Sequence, residues 1–354
     1  MVQVGFTGGG NITETHIRAA AEAGLQIAAI YGTNEQKLAR LAHTYRGTTY
    51  SDFDQFLAHK PMNMVMIGSP SALHAEQGIA AAEHGLHVLV EKPIDTSTKR
   101  ADALIEAARR SRVKLGVIFQ DRLKPDILRL KEWIDSGKLG KPILVEASVK
   151  WYRPPEYYLS SKWRGTLALD GGGALMNQGI HTVDLLVYLL GDVTRVQATT
   201  KTALHSIESE DTCVATLEFA NGAIGVLHAT TAAYPGYARR LEITGSEGTV
   251  RIEHDRITKI DLRNHVESER VEIEHASELA DQNASSNSPV VGDVRGHQRI
   301  VEDFIRAIET GRSPVCDGEE GRRSLAIVES IYRAARKGTA VVLRTDARFS
   351  AQPI

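Results

Sequence analysis

A short apolar run at 2–6 leads directly into Gly8-Gly9-Gly10-Asn11-Ile12-Thr13 and then into a helical pattern. This strand–glycine–helix opening constrains the chain more than any other feature. The first glycine permits a sharp turn, and the second lets backbone approach a pyrophosphate. The helix N-terminus beyond them offers unpaired N–H groups and a partial positive charge. Thr13 stands where a third glycine is usual, a departure that helix–strand packing tolerates. The pattern predicts a dinucleotide seat at Gly8, Gly10, Asn11 and Ile12; a plain strand–helix turn would also use glycine.

The same alternation continues to residue 120. Apolar runs at 26–31, 62–67, 87–90 and 114–119 read as strands. Helix-length periodicity covers 13–23, 35–45, 72–84 and 96–111. Met64-Val65-Met66-Ile67 is apolar throughout, as a strand covered on both faces must be. Such alternation predicts a doubly wound parallel sheet, an N-terminal Rossmann domain over 1–122.

After Gln120 the pattern changes. A helix over 124–136 closes at Gly137, Gly140 and Pro142. Runs at 143–151, 195–202, 212–219, 223–231, 239–244 and 249–254 then alternate in the manner of antiparallel strands. Asn221-Gly222 predicts a type I′ hairpin, and Gly245-Ser246-Glu247-Gly248 a second tight turn. A helix is predicted at 179–190, a long polar loop at 275–296, and closing helices at 298–309 and 321–337. These assign 123–354 to an α+β domain with a large, open, mainly antiparallel sheet.

Composition excludes several classes. The 42 basic and 44 acidic residues give a net charge of -2, so no nucleic-acid footprint is present. No run approaches the ~18 apolar residues that a spanning helix needs. The opening lacks a basic leader and apolar core, and Cys213 and Cys316 form neither a disulfide framework nor a metal spacing. The expected location is the cytoplasm, with no nucleic-acid or membrane partner and no metal.

Three constellations carry chemistry. The second strand ends in Gly32-Thr33-Asn34 without the carboxylate that grips the ribose of NAD. This favours NADP over NAD, with Thr33, Asn34, Lys37 and Arg40 available for a 2′-phosphate; Glu35 or a backbone contact would instead admit NAD. His87-Val88-Leu89-Val90-Glu91-Lys92-Pro93 places Lys92 at a strand end, where sheet ligands bind. A lysine beside a cationic nicotinamide has its pKa lowered and can join proton transfer. A solvated Glu91–Lys92 loop pair is the plain alternative. Gly171-Gly172-Gly173 feeds a helix that sets Asn177, His181 and Asp184 on one face, with His181 as a neutral-pH acid/base. A metal reading of His181 and Asp184 lacks a third ligand. Finally, Trp151-Tyr152-Arg153 through Tyr157-Tyr158 to Trp163-Arg164 supplies flat rings for sugar faces and guanidiniums for oxygens, or else a self-packed interface loop.

Together Glu91-Lys92-Pro93 and Gly171-Gly172-Gly173…His181…Asp184 resemble the Gfo/Idh/MocA family of oxidoreductases, over almost the whole chain. The resemblance implies a nicotinamide-dependent enzyme acting on a ring hydroxyl or carbonyl of a sugar, inositol or nucleotide-sugar. It implies Lys92 and His181 as the catalytic pair, with a homodimer or homotetramer built through the C-terminal sheet. Where the family often has aspartate four residues before the histidine, this chain has Asn177, which orients but cannot exchange a proton. The expected cofactor contacts add Ser69, Pro70, His74, Glu91, Lys92 and Arg164. The expected substrate contacts are Lys92, Trp151, Arg153, Tyr157, Tyr158, Trp163, Asn177 and His181. The aromatic stretch looks like the branch containing UDP-N-acetylglucosaminuronate 3-dehydrogenases and other sugar 3-dehydrogenases. Two other functions fit the same motifs: a non-catalytic dinucleotide sensor, and a tight-cofactor enzyme passing hydride between sugars.

Overall fold

The computed structural model describes residues 2–263 and 293–343. The chain divides into two compact units. The first comprises Met1–Gln120, Ala168–Gly171 and Pro289–Leu325; the second comprises Asp121–Leu167, Gly172–Ser288 and Ala326–Ile354. A single cut after residue 122 therefore misses two returns of the chain to the first unit.

In the first unit six strands form one parallel sheet in the order β3-β2-β1-β4-β5-β6. They are β1 (Gln3–Gly8), β2 (Gln26–Gly32), β3 (Thr48–Tyr50), β4 (Met64–Ile67), β5 (His87–Glu91) and β6 (Leu115–Ile118). The crossover helices are α1 (Asn11–Glu22), α2 (Glu35–Tyr45), α3 (Phe53–Leu57), α4 (His74–Glu83) and α5 (Thr98–Arg110). Every residue of β4 is buried, which explains its unbroken apolar run. The sequence does not announce β3 or α3. The first is three residues long with two exposed, and the second is a five-residue helix capped by Asp52, which accepts from the Gln55 amide at 2.8 Å.

A late segment belongs to this unit because it completes the sheet's cover. Helix α9 (Arg295–Thr310) packs on α1 and β6, and the Phe304 ring lies where a side chain at Gly116 would stand. The Val117 amide donates to the Cys316 carbonyl at 2.9 Å. The predicted loop at 275–296 falls largely outside the described residues; where it enters them, Arg295 and Gly296 already open α9.

The second unit holds an eight-stranded sheet in the order β13-β12-β11-β7-β10-β9-β8-β14. Its strands are β7 (Pro142–Lys150), β8 (Val193–Lys201), β9 (Thr212–Phe219), β10 (Ile224–Thr230), β11 (Arg240–Gly245), β12 (Gly248–Glu253), β13 (Arg256–Leu262) and β14 (Val341–Val342). All neighbours are antiparallel except β7 and β10, so the sheet is mixed rather than purely antiparallel. The helices α6 (Pro125–Asp135), α7 (Pro155–Leu159) and α8 (Ile180–Leu190) lie in this unit, and α10 (Gly318–Lys337) ends in it. Along β9 burial alternates strictly: Cys213, Ala215, Leu217 and Phe219 face inward, while Val214, Thr216 and Glu218 face out.

Two hairpins differ from expectation in an instructive way. Gly222 has a positive φ of 89° and Asn221 does not, so the β9–β10 turn is not type I′. The Phe219 amide donates to the Ala223 carbonyl at 2.9 Å, and the three residues enclosed by that pair end in the positive-φ Gly222. The Asn221 side chain is engaged instead, donating to the Leu190 carbonyl at 2.9 Å and accepting from the Ala223 amide at 3.0 Å. Two successive positive-φ residues occur between β12 and β13, at His254 (49°) and Asp255 (63°). That turn produces β13, which the sequence pattern does not reveal.

Candidate active site

At the carboxyl ends of β1, β2 and β4 the backbones converge. Gly8 has φ 119°, and a side chain there would meet the Gly68 carbonyl oxygen at 2.4 Å; one at Gly32 would meet the Gly8 carbonyl at 3.2 Å. A side chain at Gly10 would meet nothing within 4 Å, and α1 begins there without a side-chain cap. The loop thus presents open space and uncapped amides at Asn11 and Ile12, the arrangement a pyrophosphate needs. Thr13 performs the work of the third glycine. Its buried hydroxyl accepts from the Gly9 amide at 3.0 Å and donates to the Thr7 carbonyl at 3.2 Å, tying loop to helix. Nearby, the Ser69 hydroxyl is buried without a hydrogen-bond partner among the described residues. A bound dinucleotide fits these features.

Around the adenosine end, Thr33 and Lys37 are exposed at the tip of β2 and the start of α2. Asn34 caps α2, accepting from the Lys37 amide at 3.0 Å, and Arg40 pairs with Glu14 at 2.6 Å. Of the four side chains considered for a 2′-phosphate, two therefore hold other partners.

Two expected cofactor contacts act as scaffold. The His74 ring is 1% exposed and lies between two carbonyls, Pro93 at 2.7 Å from Nδ1 and Ser69 at 2.9 Å from Nε2. It joins the loops that follow β4 and β5, and burial lowers its pKa. Asp95 braces the same loops, accepting from the Ala75 amide at 2.9 Å and from Arg100 Nε at 2.8 Å. Glu91 is likewise no solvated loop partner of Lys92. Its Oε1 lies 2.9 Å from His16 Nε2 and 3.7 Å from His297 Nε2, and its Oε2 accepts from the Lys92 amide at 2.9 Å. Burial alone would raise the Glu91 pKa, but the two histidines hold it well below the usual carboxylate range. His16 is held below its ordinary value by burial. Lys92 emerges half-buried from this anchored strand end, with Pro93 in cis. Sequence reasoning missed His16 and His297, because their partner is 75 or more positions away.

In the second unit the glycine triplet has a mechanical explanation. A side chain on Gly173 would meet the Glu210 carbonyl oxygen at 1.8 Å, and one on Gly172 the Tyr332 hydroxyl at 2.3 Å. The Glu210 carboxylate accepts from the amides of Gly173 (3.0 Å) and Leu175 (2.8 Å), and from the Tyr332 hydroxyl at 2.9 Å. This seat starts a six-residue π-helical stretch, Ala174–Gly179, which carries Asn177 and leads into His181 on α8. Widened turns of this kind concentrate at functional sites.

Asp184, read from sequence on one helix face with His181, has its carboxylate engaged by Arg122. It is wholly buried and accepts from Arg122 Nε and Nη2 at 2.8 and 2.7 Å. The carboxylate facing His181 is Asp121, whose Oδ2 lies 3.6 Å from Nδ1.

The aromatic stretch gathers around Tyr157. Arg164 lies 4.3 Å from its ring centre and Arg153 5.5 Å; Arg164 is also 5.5 Å from the Trp163 ring centre and Arg153 5.2 Å from that of Trp151. Burial lowers the Arg153 pKa. The Trp151 indole N–H and Arg164 Nε are buried without partners among the described residues. Gln178, which the sequence did not single out, donates to the Tyr157 hydroxyl at 3.3 Å and keeps a buried, unpartnered Oε1. Tyr158 belongs to the scaffold: it is buried, shares a 2.8 Å hydrogen bond with Thr231, and packs on His205.

Comparison with known proteins places this arrangement. The family model described as an oxidoreductase family with an NAD-binding Rossmann fold matches residues 2–119, and the GFO/IDH/MocA C-terminal domain matches residues 127–251. The WlbA dehydrogenase from Bordetella pertussis, solved with NADH and UDP-GlcNAcA, is 33% identical over 98% of both chains, with a TM-score of 0.89. The levoglucosan dehydrogenase of Pseudarthrobacter phenanthrenivorans is 25% identical, covering 95% of this chain and 96% of its own. The inositol 2-dehydrogenase of Rhizobium meliloti is 25% identical over 94% and 96%. With its glycine cradle, its strand-end lysine and its full-length likeness to these dehydrogenases, the chain belongs to the GFO/IDH/MocA family of NAD-binding oxidoreductases.

Proposed function

We propose that the chain interconverts a ring hydroxyl and carbonyl on a sugar-type substrate, with a nucleotide-linked sugar acid as the first candidate. The observation that carries this reading is the likeness over 98% of both chains to a dehydrogenase solved with NADH and UDP-GlcNAcA. Lys92 and His181 are proposed as the catalytic pair. A bound nicotinamide supplies the hydride donor or acceptor. In oxidation His181 takes the hydroxyl proton, and the Lys92 ammonium stabilises the developing oxyanion. Asn177 contributes a hydrogen bond without exchanging a proton. Arg153, Arg164 and Tyr157 offer guanidiniums and a ring face for substrate oxygens and C–H surface.

A carboxylate-free β2 tip with Thr33 and Lys37 exposed supports use of NADP(H) beside NAD(H). For assembly we propose the outer face of the second unit's sheet, where Leu144, Val214 and Ile224 are exposed. No helix among the described residues is long and apolar enough to cross a membrane, and both cysteines are free and buried; a cytoplasmic setting accords with both. The test is a panel of UDP-GlcNAcA, pyranosides and inositols, each run with NAD and NADP. UDP-GlcNAcA with NAD is expected to give the highest kcat/KM. No nicotinamide turnover with any member would favour a sensor, and cofactor retained through purification would favour sugar-to-sugar transfer.

A further inference from the structure

Asp121 and Arg122 are neighbours on one short turn, Gln120–Leu123, and both reach α8. Arg122 grips Asp184 in a bidentate pair, and Asp121 faces His181, three residues earlier on the same side of the helix. The Asp121 carboxylate is itself firmly held. Its Oδ2 accepts from Arg239 Nη1 at 2.7 Å, and its Oδ1 pairs with Lys124 Nζ at 2.7 Å. Both cations also pair with Asp255, in the turn between β12 and β13. Two positive and two negative groups thus form a neutral quartet with one carboxylate turned toward an imidazole.

We propose that Asp121 is the positioning residue for His181, holding the ring with Nδ1–H toward the carboxylate and leaving Nε2 as the proton acceptor. The proposal rests on the reading of His181 as the base. At 3.6 Å the contact is longer than a hydrogen bond; such contacts often tighten when substrate binds. Burial favours the neutral acid, yet Arg239 and Lys124 keep Asp121 ionised, its pKa well below the usual carboxylate range. The quartet's neutrality matters equally. A lone buried carboxylate would trap the proton on His181, whereas one already matched by Arg239 and Lys124 stabilises the imidazolium only in part. The proton can then be returned in the reverse reaction. Asn177, an amide, cannot provide this charge.

The test uses the NAD-loaded enzyme labelled with 15N-histidine, with the His181 signal assigned by its loss in His181→Gln. Asp121→Asn is expected to lower the His181 pKa by about one unit and to populate the Nε2–H tautomer. With UDP-GlcNAcA as substrate kcat should fall about 100-fold, within the range a general base supplies, with KM little changed. Asp121→Glu keeps a charge for Arg239 and Lys124, so it should fold as the parent does and fall between the two in pKa and kcat. A His181 titration and tautomer unchanged in both variants would overturn the proposal. Normal turnover in His181→Gln would instead overturn the reading of His181 as the base.

Discussion

Replacing Arg122 with methionine probes what holds α8 in place. Arg122 and Asp184 are both fully buried and share two hydrogen bonds of 2.8 and 2.7 Å. Methionine fills most of the volume and still covers the Tyr188 ring, which the guanidinium centre approaches to 5.0 Å. It leaves the buried Asp184 carboxylate without the two Arg122 donors. Removing one partner of such a pair costs about 3–5 kcal/mol, against total stabilities of about 5–15 kcal/mol. For a unit of this size that corresponds to a fall in Tm of about 6–20 °C. The double variant Arg122→Met/Asp184→Leu removes the buried carboxylate as well and should return to within about 1–2 kcal/mol of the parent. Urea unfolding by linear extrapolation, run on both singles and the double, yields the coupling energy directly. A loss below about 1 kcal/mol in Arg122→Met, or a double variant as unstable as the single, would refute the view that this pair is a buried, mutually dependent charge couple.

Lys92→Met is expected to depress kcat by about 100-fold or more while leaving cofactor affinity near that of the parent; equal loss in both, measured by turnover and NADH titration, would assign Lys92 to cofactor binding instead. Gly173→Ala drives a methyl against the Glu210 carbonyl and should destabilise by about 1–3 kcal/mol, visible in thermal unfolding; a neutral effect would mean that the glycine triplet is not sterically required. Acid sensitivity should follow from two buried histidines. His16 and His74 have folded-state pKa values below the ordinary 6.5, so their contribution is present above that pH and lost as the pH falls below it, where the unfolded chain binds protons more readily. Urea midpoints from pH 7.5 to 5 should decline, and His16→Asn should flatten the slope; an unchanged slope would clear His16 of the effect.

Much of this protein was legible along the chain because its governing signals are local. Glycines before a helix, unbroken apolar strands and alternating ones report backbone and burial within a few residues, and they announced the Rossmann sheet, the mainly antiparallel character of the second sheet and the tight glycine turn between β1 and α1. The edge strand β3, the turn at His254–Asp255 and the strand β13 were not legible, being short, exposed or set by a positive φ that those residue types rarely adopt. The site shows the same division. Lys92 and His181 stand in motifs and were named from sequence. What anchors them was not: Glu91 meets His16 and His297, and Asp184 turns to Arg122. Asp121 faces His181 while pairing with Arg239, 118 positions away. Buried charges must find partners wherever the fold brings them, and that choice is made through space. The sequence by itself therefore determined which groups stand at the proposed site, while only the tertiary structure decided which charges hold them in place.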